Sequence, residues 1–383
     1  MHNFVKLRPA SSSDMKILYI INNLEIGGAQ RLLCDITNHL KSHEGVEIGI
    51  FSLTENETSP LLEQVKREPG IKYYKNKGLR PLSLRTVKHI REVAKNYDVI
   101  HSHLFPAGYL TAVACRGLDK PTFYTEHSTH NRRRDYKFLR PLEQLIYSRY
   151  SAIACISPNT ENALKIWLKS DKIGRKCLTI PNGVDLKKYS RTEPSNEDIF
   201  GKNGIPILMI SRFTASKDQP SLIRALPLVN RVDAFLVFAG DGETLETCKL
   251  LAEELSVADR CHFLGARSDI PAIIKASRIG VQASNWEGFG LTAVEMMGGG
   301  LPVIASDVPG LREVVEGAGL LFSKGDHKEL ASRINYLLDN EPAYRGIRAK
   351  CEERAKQYDI SATAESYLQL YSRHLSTPCN SSG

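Results

Sequence analysis

Nothing in this 383-residue sequence stays apolar for long. Its most hydrophobic runs, "AFLVFAG" and "LPVIAS", fall well short of the roughly 18 residues needed to cross a bilayer, which excludes a membrane-spanning helix. The opening stretch "MHNFVKLRPASSSDMK" lacks an apolar core of signal-peptide length, so a cytoplasmic chain is expected. Close-set cysteines are missing too. The eight present (Cys34, Cys115, Cys155, Cys177, Cys248, Cys261, Cys351 and Cys379) are scattered, which fits neither a disulfide framework nor a zinc site. Buried free thiols in a reducing compartment are expected instead. Charge of one sign does not dominate, and a net charge of +8 at this length is no argument for nucleic acid.

What is present describes a globular protein: 42% hydrophobic and 25% charged residues are ordinary proportions for one, and the length exceeds a single core. Strand-like runs alternate with amphipathic segments, the pattern of parallel sheets with crossover helices. In the first half these runs are 16–21, 46–51, 98–103, 122–127, 152–157 and 177–180. In the second they are 206–211, 234–240, 261–265, 279–284, 302–306 and 319–322. Leu33, Ile36 and Leu40 fall on one helical face, as do Val87, Ile90 and Ala94. The polar, unpatterned segment 185–204 reads as a linker, 360–375 as an amphipathic helix and the last residues as a disordered tail. The expected class is α/β: Rossmann-like parallel-sheet domains at 1–185 and 186–358 facing a central cleft, followed by 359–383.

The stretch "NWEGFGLTAVE" (285–295) follows a strand and opens a helix. Gly288 and Gly290 permit close backbone approach, and the amides from Leu291 onward favour an anion. A tight strand-to-helix turn and a diphosphate cradle both fit the glycine pair. Arg212 and Lys217, in "SRFTASKD" after another strand, would bring cations to the same sheet edge, or simply sit in a solvated loop. Glu287 and Glu295 then make sense as acceptors for sugar hydroxyls, Glu295 for a ribose and Glu287 for a second sugar beyond the diphosphate.

"EGFGLTAVE" resembles the Glu-x7-Glu signature of retaining nucleotide-sugar glycosyltransferases of family four, enzymes with the glycosyltransferase B fold. "IGGAQRLL", "DVIHSH", "IPNGVD", "SRFTASKD", "FLGARSD" and "GLPVIASDVPGLREVV" are similar to that family in the same order. The resemblance implies that Arg212 and Lys217 neutralise the donor diphosphate, that Glu287 and the amides of Phe289, Gly290, Leu291 and Thr292 face sugar and phosphate, and that Glu295 binds ribose. It implies a base-reading backbone around Ala266 and Arg267, a glycine turn at Gly27 and Gly28 near donor or acceptor, and an active-site histidine at His127. The final helix, by the same resemblance, packs on the first domain. Gln30 stands where many members have Glu, so its side chain is assigned no charge-dependent role.

No Asp-x-Asp triplet occurs, so the metal-bridging feature of the other major glycosyltransferase fold is missing, and neither metal nor other cofactor is expected. His101 and His103, two apart on a strand, fit a packed role or a pair of metal ligands that lacks a close third. Arg132, Arg133, Arg134, Lys137 and Arg140 form a basic run interleaved with apolar residues. It reads as an acceptor-side patch for a lipid diphosphate or an anionic membrane surface, or as a solvated loop. No nucleic-acid module accompanies it. The reading is a metal-independent transferase moving a hexose or N-acetylhexosamine from a nucleotide-diphosphate sugar, such as a UDP-sugar, to a glycan acceptor. That acceptor is expected to be lipid-diphosphate-linked, in surface polysaccharide synthesis, with the enzyme cytoplasmic or peripheral on the inner face of the cytoplasmic membrane. A sugar-nucleotide epimerase or hydrolase of the same fold, a transferase for a small soluble acceptor and a silent sugar-nucleotide-binding protein are the competing classes. Glycoside hydrolysis by the glutamate pair would leave the glycine loop and the cations without a task.

Overall fold

The computed structural model describes residues 14–25, 27–77, 80–129, 131–192, 200–201 and 203–376. Residues 1–13, part of the linker reading at 193–199 and 202, and the residues from 377 onward, Cys379 included, lie outside the described residues. The chain divides into two compact units, one of Met1–Pro181 with Ile360–Gly383 and one of Asn182–Asp359.

In the first unit, β1 (Met15–Ile21), β2 (Val46–Ser52), β3 (Ile71–Lys75), β4 (Val99–His103), β5 (Thr122–Glu126), β6 (Ala152–Cys155) and β7 (Cys177–Thr179) form one sheet in the order β3-β2-β1-β4-β5-β6-β7. Every pairing is parallel. Strands covered on both faces must be apolar throughout, and Ile17 through Ile21 are all fully buried. The expected helical faces are buried as well: Leu33, Ile36 and Leu40 in the Gly28–Leu40 helix, and Ile90 and Ala94 in the Leu84–Ala94 helix, with Val87 partly so. The Ile360–Leu375 helix belongs to this unit, burying Ile360, Ala364, Tyr367, Leu370 and Tyr371 in the same cluster as Leu33 and Ile36.

In the second unit, β8 (Ile205–Ile210), β9 (Ala234–Ala239), β10 (Cys261–Phe263), β11 (Ile279–Gln282), β12 (Val303–Ser306) and β13 (Leu320–Phe322) run parallel in the order β10-β9-β8-β11-β12-β13. Both sheets reverse their winding once, between β1 and β4 and between β8 and β11. At such a reversal the crossover helices leave to opposite faces and open a crevice beyond the carboxyl ends of the two strands.

Two expectations change. The segment read as a linker from residue 185 begins as a short helix, Leu186–Ser190, capped by the Asp185 side chain and holding Tyr189 buried. A five-residue helix anchored by one aromatic is too short to leave an apolar period in the sequence. The strand β3 was not anticipated. Its "IKYYK" sits at the sheet edge with Lys72 and Lys75 exposed, charges that keep an open edge from pairing with other chains.

Candidate active site

Within the second unit, the loops leaving β8 and β11 are stitched together. The Asp218 amide donates to the Ala283 carbonyl at 3.2 Å, the Asn285 amide to Ser216 at 2.9 Å and the Asn285 side chain to Ala215 at 3.1 Å. These bonds hold Lys217 over the β11 loop. Its ammonium is ion-paired with Glu287 and lies 3.4 Å from Ser284 Oγ. Both side chains of the pair are mostly buried, at 16% and 20% exposure, so its charges are less screened than those of a surface pair. Arg212 leaves the same strand end exposed, its guanidinium without an ion-pair partner among the described residues.

Gly290 caps the Leu291–Gly298 helix in the left-handed region, φ +97°, where a side chain would be strained. No side chain caps that helix, so its first amides keep their donors for an incoming group. Phe289 is buried with its ring edge-on to Tyr358 at 5.3 Å; only its backbone is available to a ligand. Thr292 Oγ1 donates to Gln282 Oε1 at 2.8 Å, and Glu295 is half-buried one turn into the helix. Ala266 and Arg267 are exposed beyond β10, where Arg267 is forked onto Asp269 at 2.8 and 2.6 Å. That side chain is occupied by Asp269, and the backbone of both residues stays accessible.

One contributor was missed. Gly310, at φ +90°, lies so close to the β11 loop that an added Cβ would come within 2.7 Å of the Glu287 carbonyl oxygen. Glycine at 310 therefore sets the height of Glu287. The Pro-Gly pair after a strand was the available sign, but nothing local said which loop it touches.

In the first unit, Gly27 precedes the Gly28–Leu40 helix in an extended conformation, again with no side-chain cap. Gln30 reaches back to Asn23 at 3.0 Å, and Asn22 Oδ1 accepts from the Ala107 amide at 3.0 Å, joining the loops beyond β1 and β4. His127, half-buried beyond β5, places Nε2 3.0 Å from His103 Nδ1. Burial pushes His127 down to about 4 and His101 to about 3, and holds His103 well below the ordinary imidazole range. All three rings are neutral at pH 7. His101 and His103 stack at 4.5 Å inside the core. Among the described residues no cluster of three or more His, Cys, Asp or Glu is placed to hold a metal ion.

The basic run is not one surface. Arg134 is buried, its guanidinium 2.9 Å from Glu126 Oε2 and 2.8 Å from the Thr129 carbonyl. Arg133 bonds Glu143 at 3.0 Å and lies 4.1 Å over the Phe105 ring, while Arg140 covers Trp167 at 4.9 Å. Three of the five cations thus serve the fold around two buried carboxylates, and Arg132 and Lys137 stay exposed. Beside them Tyr136, Phe138, Leu142 and Leu145 are exposed apolar side chains.

Two parallel α/β units, with an uncapped helix, cations and carboxylates gathered at one switch point, define a glycosyltransferase of the B fold. Residues 26–188 match the Glycosyltransferase Family 4 model and residues 191–358 the Glycosyl transferases group 1 model; the chain belongs to glycosyltransferase family 4. It is 24% identical to the putative glycosyltransferase EpsD of Bacillus subtilis, over 77% of this chain and 82% of that protein. It is 30% identical to the N,N'-diacetylbacillosaminyl-diphospho-undecaprenol alpha-1,3-N-acetylgalactosaminyltransferase of Campylobacter jejuni, over 56% of this chain and 58% of that one. Among solved structures, Anabaena HepE in complex with UDP and glucose superposes with a TM-score of 0.82 at 22% identity, covering 94% of this chain and 99% of HepE. No helix among the described residues is long and apolar enough to cross a membrane.

Proposed function

We propose that the chain is a retaining, metal-independent hexosyl- or N-acetylhexosaminyltransferase that uses a nucleotide-diphosphate sugar and extends a lipid-diphosphate-linked glycan in surface polysaccharide synthesis. The observation that carries the donor reading is the β8–β11 switch point, where Lys217, held on Glu287, and the exposed Arg212 accompany an uncapped helix terminus. UDP as the nucleotide is part of the proposal, and the HepE complex with UDP and glucose supports it. The diphosphoundecaprenol in the Campylobacter relative's name supports the acceptor class.

In this reading Arg212, Lys217 and the amides of Gly290, Leu291 and Thr292 take up the charge that develops on the leaving diphosphate. Glu287 accepts from hydroxyls of the transferred sugar, and Glu295 accepts from the ribose. The bond from the anomeric carbon to the diphosphate oxygen breaks, the acceptor oxygen bonds to the same face, and its proton passes to the departing phosphate. His127 hydrogen-bonds the sugar. Positive charge from side chains and amides replaces that of a metal ion. Membrane contact is part of the same proposal. Phe138, Leu142 and Leu145, spaced four and three apart and exposed, would enter an anionic interface with Arg132 and Lys137 beside them.

The test is transfer from a panel of nucleotide sugars to lipid-diphosphate acceptors, with Glu287→Ala as the control. The variant is expected to lose turnover and keep measurable nucleotide binding. Unchanged turnover would remove Glu287 from the site.

A further inference from the structure

We infer that His103 is a positioning residue that fixes His127 as the Nδ1–H tautomer, so that His127 offers the sugar a hydrogen-bond donor rather than an acceptor. The role at the sugar rests on the placement of His127 proposed above; the tautomer does not.

The argument is a proton count along β4. His101 has both nitrogens occupied, Nδ1 at 2.5 Å from Tyr371 Oη and Nε2 at 2.8 Å from Thr125 Oγ1. Tyr371 also lies 3.2 Å from Tyr19 Oη, and Thr125 3.0 Å from Tyr367 Oη, so His101 is locked in place by hydroxyls. His103 lies flat against it, 4.5 Å between centroids and 28° between planes, an arrangement in which the rings exchange no in-plane hydrogen bond. Among the described residues the one polar partner of His103 is His127, through Nδ1 and Nε2 at 3.0 Å. His103 Nε2 is fully buried and has no partner among the described residues.

One proton sits between the two facing nitrogens, and there are two ways to place it. If His127 donates, the single proton of neutral His103 resides on Nε2, a buried N–H with no acceptor. If His103 donates, what is left unpaired at Nε2 is a lone pair. A buried N–H with no acceptor is the rarer of the two in folded proteins. His103 therefore keeps its proton on Nδ1, His127 Nε2 accepts it, and the proton of His127 is displaced to Nδ1. Because both rings are neutral, a doubly protonated alternative does not compete. The nitrogen engaged by the inner histidine dictates what the outer one presents to an oxygen.

Long-range 15N–1H spectra of the full chain labelled at histidine read the tautomer directly, with the His127 signals assigned by their loss in His127→Gln. The native protein is expected to show a protonated Nδ1 and a bare Nε2 at His127, and His103→Leu to move His127 toward the other tautomer. A protonated Nε2 in the native protein, or an unchanged His127 in His103→Leu, overturns the inference. In transfer assays His103→Leu is expected to lower kcat roughly 10- to 100-fold with donor KM within about twofold, the pattern of a misdirected group rather than a lost contact. His103→Asn, whose amide N–H stands near the position of Nδ1–H, is expected to recover most of that loss. Should His127→Gln turn over normally while the tautomer is as stated, His127 does not face the sugar and the tautomer assignment still holds.

Discussion

Arg134→Met is the change on which the revised view of the basic run depends most. The Arg134 and Glu126 side chains are each 5% exposed and meet at 2.9 Å. Arg134 also donates to the Thr129 carbonyl, and Tyr147 donates to Glu126 Oε2 at 2.6 Å. Removing the guanidinium leaves a carboxylate in the core with, among the described residues, a tyrosine hydroxyl and the Ser128 amide as its remaining partners. Breaking one side of a buried pair costs about 3–5 kcal/mol, because the stranded charge remains desolvated. For a domain of about 200 residues that corresponds to a fall of roughly 6–20 °C in the melting of the first unit. Adding Glu126→Gln to Arg134→Met removes the stranded charge and should recover a large part of the loss. Arg132→Ala, at an exposed position, should stay within about 0.5 kcal/mol of the native protein. Thermal melts of the four proteins decide it. If Arg134→Met melts with Arg132→Ala, the ion pair does not hold the segment, and the run returns to being a solvated surface.

Acid should weaken the fold before it reaches the carboxylates. In the unfolded chain His101 and His127 take up protons near pH 6.5, whereas folded His127 does so only near 4 and His101 near 3. The unfolded state therefore binds more protons throughout that window, and stability falls as pH drops from 6.5 toward 4, by up to about 1.4 kcal/mol per pH unit for each histidine. Urea melts between pH 7.5 and 4.5 would show a flat profile if these rings were solvated. For the membrane proposal, Phe138→Glu with Leu142→Glu should reduce sedimentation with anionic liposomes and leave donor binding unchanged, and undiminished sedimentation would move the contact elsewhere. Chelation with EDTA should leave transfer intact; a loss restored by added divalent metal would refute the proposed neutralisation of the diphosphate by side chains and amides.

Much of the scaffold was legible because buried parallel strands cannot hide their composition. "KILYII" and "AFLVFAG" are apolar along their length for the same reason that Tyr19 and Leu236 are fully buried. The edge strand "IKYYK" escaped notice because one side of it needs no cover. At the site, the glycines and the two glutamates of "EGFGLTAVE" were visible as local chemistry, whereas the pairing of Lys217 with Glu287 joins residues seventy positions apart. The arginine run misled in the opposite direction. Its charges were plain, but the burial of Glu126 and Glu143 that claims Arg134 and Arg133 is a property of the packed unit. His103 looked like one of two strand histidines until the fold set it against His127.

The central claim is that the β8–β11 switch point clamps a nucleotide sugar by its diphosphate, and calorimetric titration of UDP-sugars into native protein and Arg212→Ala at fixed salt tests it most directly. Arg212 is exposed and its side chain holds no partner among the described residues that its loss would strand, so the fold should be untouched. A charge-assisted contact to phosphate contributes about 1.5–3 kcal/mol, so the variant should bind about 10- to 150-fold more weakly. Equal affinity in the two proteins, or no binding of any nucleotide sugar to the native chain, would contradict the account.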